Sequence, residues 1–152
     1  MDDVFAMMTS GVYVVTTRLK DRINGMTAAW VMRVSFKPPL VAVSIGKERF
    51  THNLIKESGV FAINILKEGQ EQIGRHFGLK SGRHVDKFMG MDYFTLKTGC
   101  PILPDTAGYL ECRLFSFHEA GDHTLFLGEV VEGSSFFGSK PLLFRREDYF
   151  GR

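Results

Sequence analysis

The sequence has few cysteines and no clustered histidines, and both shortages narrow the range of functions. Its two cysteines, Cys100 and Cys112, stand in no C-x-x-C pattern and have no histidine at metal-ligand spacing. A domain of 152 residues does not need a disulfide, so we expect two reduced structural thiols, with a disulfide between them as the alternative. The five histidines are spread singly along the chain, which predicts that there is no metal site.

Long apolar runs and a strong charge of one sign are missing as well. No apolar run reaches the roughly 18 residues that a membrane span requires. Asp2 and Asp3 stand where the basic region of a signal peptide would lie. The net charge is only +2, with Lys and Arg scattered among Asp and Glu, whereas nucleic-acid-binding domains are usually more basic. We therefore expect a cytoplasmic protein whose partner is neither a membrane nor a nucleic acid.

The motifs of several common enzyme classes do not occur. There is no P-loop and no G-x-G-x-x-G fingerprint, and Ser and His form no nucleophile elbow or zincin motif. Hydrophobic residues make up 44% of the chain and charged residues 24%, as in ordinary globular proteins. Without a repeat or a linker, residues 1–152 are predicted to form a single domain.

Runs of β-branched and aromatic residues predict a mainly β protein. The predicted strands cover residues 12–17, 26–34, 40–45, 60–66, 110–114 and 124–131, with shorter ones at 92–97 and 142–144. Polar residues 20–22 and the Asn24-Gly25 pair are predicted to form the first hairpin turn. Helices are predicted at 51–57, with Thr51 as N-cap, and at 70–77. An antiparallel barrel with short helical insertions accommodates these elements, because closure removes exposed strand edges.

Two segments are candidates for binding a nucleotide-like ligand. The small residues of NGMTAAW, at 24–30, would let a flat ring approach the backbone, although they would equally suit a strand packed under a neighbour. Lys47, Arg49 and Thr51 gather at a predicted helix start, where unpaired N–H groups and the helix dipole favour a phosphate. The alternative for this second segment is a capped, solvated basic turn.

Two further segments are weaker candidates. His123 leaves the predicted 121–122 turn into a strand, so it could reach a barrel mouth and donate a hydrogen bond or move a proton. A surface histidine is the alternative there. The cations of the loop 83–88, which include Lys87, could close over a phosphate or serve only to keep a loop solvated.

Seven pieces of the chain, in this order, resemble the flavin reductase-like family. They are GVYVVTT (11–17), NGMTAAW (24–30), VSFKPPLVAVSI (34–45), KERFTHNLIKESGVFAINIL (47–66), GCPIL (99–103), LEC (110–112) and GDHTLFLGEV (121–130). The resemblance covers nearly the whole chain. It implies an FMN-binding split barrel, an antiparallel barrel of Greek-key type with short helical insertions. It also implies a homodimer with the flavin near the subunit interface.

The resemblance also implies a function in electron transfer. The first expectation is an NAD(P)H-dependent reductase of flavin or another acceptor, acting by hydride transfer to flavin N5. The second is a flavoredoxin-type carrier that holds FMN tightly and hardly reacts with NAD(P)H, and a redox protein is a possible partner for either. A third is a non-catalytic member that has lost flavin, but the trio Arg49, Thr51 and Lys87 argues against it. A phosphate anchor favours FMN over FAD, which would have to fit an adenylate beyond it.

The family's binding residues can be carried onto matching positions. Residues 24–30 would line the flavin ring, residues 35–38 and 44–45 would shape the ribityl side, and Arg49, Thr51 and Lys87 would hold the phosphate. His123 would lie near the ring or the nicotinamide and is the one catalytic candidate, while Tyr149 and Phe150 would cover the site. The predicted cofactor-binding residues are Asn24, Gly25, Met26, Thr27, Ala28, Ala29, Trp30, Ser35, Phe36, Lys37, Ser44, Ile45, Lys47, Arg49, Thr51, Lys87, His123 and Phe150.

Overall fold

The computed structural model describes residues 1–150, which form one curled antiparallel sheet with short helices against it. The strands are β1 (Tyr13–Leu19), β2 (Arg22–Ala28), β3 (Val31–Ser35), β4 (Leu40–Gly46), β5 (Val60–Ile65), β6 (Gly108–Ala120) and β7 (His123–Ser135). The helices are α1 (Asp2–Phe5), α2 (Phe50–Ser58), α3 (Glu71–Gly78) and α4 (Glu147–Phe150). The sheet order is β2-β1-β5-β6-β7-β4-β3, and every pairing is antiparallel.

The sheet curls into a barrel because its two edge strands are consecutive in the chain. β2 and β3 stand at opposite ends of the strand order, yet only Ala29 and Trp30 separate them. One apolar cluster fills the interior and takes side chains from β1, β2, β4, β5, β6, β7 and α2. The mainly antiparallel barrel with short helices confirms the fold predicted from the sequence.

A second apolar layer lies outside the barrel, between the sheet and α3. Successive strand residues point to opposite faces, so Val15 joins the interior cluster while Val14 joins the outer one. This explains why β1 is apolar on both faces. The outer cluster also buries Phe77 of α3 and Tyr149 of α4. Tyr149 thus packs in this cluster and does not line either of the two cavities described below.

The first hairpin differs from its prediction. Its turn lies at Lys20 and Asp21, where Lys20 has a positive φ of 56°. Asn24 and Gly25 lie inside β2, where Gly25 pairs with Thr16 of β1. The predicted strand 26–34 is in fact two strands, because the chain must cross from one edge of the sheet to the other to close the barrel.

Other boundaries also moved. The predicted strands at 92–97 and 142–144 are reduced to isolated bridges, Phe94 with Ile102 and Gly11 with Leu143.

Both cysteines are free and buried. No helix within residues 1–150 is long and apolar enough to cross a membrane. In the same residues, no group of three or more His, Cys, Asp or Glu side chains could hold a metal ion.

Candidate functional site

A half-open cavity of about 360 Å³ lies between β2, the start of α2 and the segment that follows α3. Several of the residues predicted to bind a ligand line it, together with residues of the loop 79–86. The lining residues are Asn24, Met26, Glu48, Arg49, Phe50, Thr51, Gly78, Leu79, Lys80, Ser81, Gly82, Arg83, His84 and Lys87. The structure thus brings the predicted phosphate anchor and the basic loop to one cavity, although they are far apart in the sequence.

α2 is fixed so that its N-terminus borders this cavity. The buried side chains of Leu54 and Ile55 form the inner face of α2, and Gly59 ends the helix with a left-handed φ of 72°. His52 Nε2 and the Thr124 hydroxyl of β7 share a hydrogen bond of 2.7 Å. The orientation of the helix start is therefore set by packing against the barrel.

Lys87 places an ammonium group at the wall of the cavity. The residue is only 3% exposed, and its Nζ donates to the carbonyl oxygens of Gly25, at 2.8 Å, and Phe77, at 2.9 Å. These two bonds leave one of its three N–H donors for another acceptor. Burial, with a smaller contribution from the positive charge of Arg49, lowers the pKa of Lys87 to about 8.

Arg49 is the second cation of the cavity. Burial lowers the pKa of its guanidinium as well. Among residues 1–150, neither Arg49 nor Lys87 forms a salt bridge with a carboxylate. Because desolvated positive charge without a counter-charge is costly, these two side chains favour the binding of an anion.

The start of α2 supplies uncharged donors to the same place. α2 begins at Phe50 with Arg49 as its N-cap and without a side-chain capping bond, so Thr51 lies in the first turn and is not the predicted cap. The first N–H groups of a helix have no intrahelical partner and attract anions. The Thr51 Oγ1 accepts a 2.8 Å hydrogen bond from the Asn24 amide, which leaves its own proton free to donate. The donor set suits a terminal phosphate.

Trp30 and His123 form an aromatic pair beside the barrel. Their ring centroids are 4.8 Å apart, and the Trp30 side chain is 63% exposed. His123 Nδ1 lies 2.7 Å from the Asp122 carboxylate, and this bond lowers the pKa of Asp122. The carboxylate orients the imidazole and leaves its Nε2 for a ligand.

Gly46, at the end of β4, connects the cavity with this aromatic pair. A Cβ built on Gly46 would lie 3.5 Å from Arg49 Cγ and 3.8 Å from His123 Nε2. Arg49 and His123 therefore flank the same piece of backbone. An elongated ligand anchored at Arg49 could extend past Gly46 towards Trp30.

Other residues of the 24–30 segment face different surroundings. Gly25 packs against Phe77, because a Cβ there would lie 3.2 Å from that ring. The Thr27 hydroxyl donates to the Gly74 carbonyl at 2.6 Å. Both residues thus hold α3 against β2, whereas Asn24 and Met26 line the cavity. Ala28 is buried in the barrel interior, as is Ile45 of β4, and Ala29 is partly buried.

The remaining predicted residues lie outside the cavity. Ser35 ends β3, about 16 Å from Trp30 at roughly 3.3 Å per residue, and Phe36 and Lys37 follow it. The Lys47 ammonium pairs with Glu119 at 2.8 Å. Ser44 and Phe150 also lie outside the cavity. The Ser44 N–H donates to the Trp30 carbonyl, and Phe150 is exposed on α4.

Phe50 and Gly82 are among the cavity residues that the sequence analysis did not predict. Phe50 and Gly82 line the cavity, where Phe50 contacts the guanidinium of Arg83 and Gly82 lies on Asn24. Gly82 stands in a glycine-rich loop, which is a weak signal of close backbone approach. Nothing in the local sequence around Phe50 indicates its partner, because Arg83 lies 33 positions further along the chain.

The site is thus a basic cavity at a helix start on a small antiparallel barrel, a chemistry that favours an anion. Residues 5–151 match the sequence profile of the flavin reductase like domain. The chain therefore belongs to the flavin reductase-like family.

Curated relatives and solved structures agree with this membership. The chain is 37% identical over 139 residues to the high molecular weight rubredoxin of Moorella thermoacetica, covering 90% of this chain and 61% of the relative's length. It is 37% identical over 133 residues to the ferric-chelate reductase (NAD(P)H) of Archaeoglobus fulgidus, covering 86% of this chain and 78% of that protein. The structure of the NADH:FAD oxidoreductase SgcE6 of Streptomyces globisporus superimposes with a TM-score of 0.88, at 35% identity, over 98% of this chain and 87% of that one.

Proposed function

We propose that the chain is an FMN-binding flavoprotein that uses NAD(P)H to reduce flavin or a downstream acceptor. The observation that carries the proposal is the anion site made by Arg49, Lys87 and Thr51 at the start of α2. Two uncompensated cations, a free hydroxyl proton and the helix N–H groups match the acceptors of a phosphate. The names of the relatives support the redox activity, since they include a ferric-chelate reductase (NAD(P)H) and an NADH-dependent FAD reductase.

FMN is the flavin that suits this donor set. The phosphate of FMN is terminal, so this phosphate can enter the cavity with no further group attached beyond it. FAD carries an adenylate beyond that phosphate and would need a second opening past the loop 79–86. The solved relative SgcE6 is named for FAD, so flavin preference has to be measured for this chain.

The aromatic pair would serve the other end of the ligand. Bound there, the flavin would supply the redox chemistry by accepting a hydride from reduced nicotinamide. Trp30 offers an exposed aromatic face for packing beside a planar ring. His123, oriented by Asp122, holds its Nε2 available to donate or accept a hydrogen bond at the reacting groups.

A homodimer is proposed from the apolar surface of β3. Trp30, Met32, Val34 and Phe36 are all exposed on this edge strand or at its ends. Beside them, an apolar groove of about 380 Å³ opens at one end of the barrel, lined by Tyr13, Val31, Met32, Arg33, Pro39, Leu40, Val41, Ile63, Ile65, Leu110 and Val130. A continuous apolar patch on an edge strand is typical of a protein–protein interface, and a second copy is the occupant we propose.

The first experiment is the visible spectrum of the purified protein before and after adding FMN. We expect a yellow protein that releases FMN on denaturation, or a colourless one that takes FMN up. Protein that stays colourless with excess FMN would contradict every flavin-dependent reading.

Anaerobic mixing with NADH or NADPH separates the reductase from the carrier. Rapid bleaching of the flavin absorbance supports the reductase. A stable yellow colour would favour the flavoredoxin-type carrier, the second candidate, which the similarity to a protein named high molecular weight rubredoxin also suggests. His123→Gln should slow the bleaching and leave the FMN dissociation constant nearly unchanged.

The phosphate anchor is tested by comparing FMN with riboflavin, which has no phosphate. We expect the double variant Arg49→Ala, Thr51→Ala to lose FMN affinity by about tenfold to hundredfold, as expected for charge-assisted hydrogen bonds of about 1.5–3 kcal/mol. Riboflavin affinity should change far less. Thr51→Ser is the matched control, because it keeps the hydroxyl. Equal losses for both ligands would remove the phosphate assignment.

A further inference from the structure

The loop 79–86 comes unusually close to β2 at one residue. A Cβ on Gly82 would collide with Oδ1 of Asn24 and would lie 2.7 Å from its Cγ. Since a real Cβ could not occupy this space, only glycine lets the loop backbone reach this depth. Asn24 is 3% exposed and is held by its bond to Thr51, so it cannot simply move aside.

Arg83, the next residue, connects the same loop to the start of α2. The Arg83 guanidinium lies 5.4 Å from the centroid of the Phe50 ring, and its Nη1 donates to the Glu48 carbonyl at 2.8 Å. Arg22 of β2 approaches the same ring at 5.0 Å. Three separate segments of the chain thus meet at Phe50.

The loop also has hydrogen bonds of its own besides these contacts to β2 and α2. The amides of His84 and Val85 both donate to the Ser81 carbonyl, and the Arg83 amide lies 3.2 Å from the Ser81 hydroxyl. This local turn holds residues 81–85 together independently of α2 and β2. Lifting the loop off the cavity would break the Gly82–Asn24 contact and the contacts of Arg83 with Phe50 and Glu48, with no unfolding of the barrel.

The charges around the cavity couple this closure to the ligand. Arg83 and Lys80 of the loop face the same cavity as Arg49 and Lys87, so closing the loop brings like charges together. An anion between them replaces that repulsion with attraction. The closed loop is thus stabilised by the same phosphate that it covers.

We propose that the loop 79–86 is a clasp over the phosphate end of the flavin, with Gly82, Arg83 and Phe50 as positioning residues that set how long the flavin stays bound. The proposal rests on the proposed function, in which the cavity holds that phosphate. It predicts that FMN behaves as a retained group while the clasp is intact and as an exchangeable substrate when it is broken.

The rate of FMN release tests the clasp. We expect Arg83→Gln to accelerate release about tenfold or more, measured by the recovery of free FMN fluorescence after dilution of the loaded protein. Lys80→Gln is the matched control, because it removes the same charge from the same loop but none of the contacts to Phe50 or Glu48. Because Lys80 also faces the cavity, Lys80→Gln should accelerate release by the lost attraction alone, and clearly less than Arg83→Gln does. Equal acceleration by both variants would show a charge effect alone and overturn the clasp.

Limited proteolysis gives a second readout that needs no flavin. In ligand-free protein, Gly82→Ala should raise trypsin cleavage after Lys80 severalfold over wild type, because the loop can no longer seat on Asn24. Inorganic phosphate should protect the wild type and protect this variant much less. Unchanged cleavage and unchanged FMN release in Gly82→Ala would contradict the proposal.

The outcomes separate the clasp from the function on which it rests. A wild type that takes up no FMN removes the flavin function and the clasp's role with it. A wild type that binds FMN, with variants that melt at the wild-type temperature and release FMN at the wild-type rate, overturns the clasp alone. If Arg83→Gln fails to fold, Phe50→Leu replaces it, since it removes the aromatic face and keeps every charge.

Discussion

At the scale of a single residue, the hydrogen bonds and the pKa of the buried Lys87 determine how it can bind an anion. Its ammonium donates to two main-chain carbonyls, and within residues 1–150 the third donor has no such partner. Its pKa of about 8 places its ionisation close to neutral pH. A bound anion would favour the charged form and raise that pKa again. Phosphate binding and protonation of Lys87 should therefore be linked.

This linkage predicts a proton taken up with FMN. Around pH 8.5 the free Lys87 is mostly neutral while the phosphate is already fully ionised, so binding should draw up to one proton from solution. FMN affinity should accordingly fall as the pH rises through 8. Calorimetry in buffers of different ionisation enthalpy measures the uptake. Riboflavin and the variant Lys87→Met serve as controls, and an equal uptake with riboflavin would exclude Lys87 as the source.

Some residues of the candidate site could be predicted from the sequence. Arg49 and Thr51 stand two positions apart at a helix start, so the hypothesis that they bind an anion needs only a short window of sequence. The detail differed, because Asn24 occupies the acceptor side of the Thr51 hydroxyl. Phe50 could not be assigned in the same way, since its partners Arg22 and Arg83 come from distant segments.

At the scale of elements, the long β6–β7 hairpin decides how the barrel interior is packed. Each strand has 13 residues, and their register shifts at two places. Gly128 of β7 packs against the side chains of Phe61 and Cys112 in the barrel interior. A Cβ there would collide with the Phe61 ring and lie 2.7 Å from Cys112 Cβ. The hairpin can pass this point only without a side chain.

Gly128→Ala should therefore destabilise the protein through overpacking, by about 1–3 kcal/mol. The midpoint of urea unfolding measures the change. Gly46→Ala is the control in β4, because its nearest neighbour would be 3.5 Å away, and it should change stability by less than about 0.5 kcal/mol. Adding Phe61→Leu to Gly128→Ala should recover part of the loss. A fully stable Gly128→Ala protein would show that the strands shift freely at this position.

At the scale of the whole molecule, one face of the barrel remains apolar and uncovered in a single chain. The exposed row on β3 adjoins the groove at the barrel end through their shared residue Met32. Patches of this kind are rare on monomers unless they bind something. The same edge strand begins beside Trp30, so a dimer formed there would place a second subunit next to the proposed ring site.

A charge placed in this row should separate the subunits. We expect the wild type to have a solution mass of twice 17.2 kDa, and Met32→Glu or Val34→Glu to have that of one chain, measured by light scattering after gel filtration. Phe137→Glu is the control, since Phe137 is fully exposed elsewhere. A wild type that is monomeric at micromolar concentration would contradict the proposed homodimer.

Local patterns in the sequence were sufficient for the class of fold, the presence of most strands and the gathering of Arg49 and Thr51 at the start of α2. Alternation, β-branched composition and helix-start chemistry act between residues a few positions apart, so a short window contains them. The tertiary structure alone decided that Gly82 rests on Asn24, that Arg83 meets Phe50 and that Lys87 lies between two carbonyls. These contacts join residues that are distant in the chain, and their pairing exists only once barrel closure has set the register of the strands.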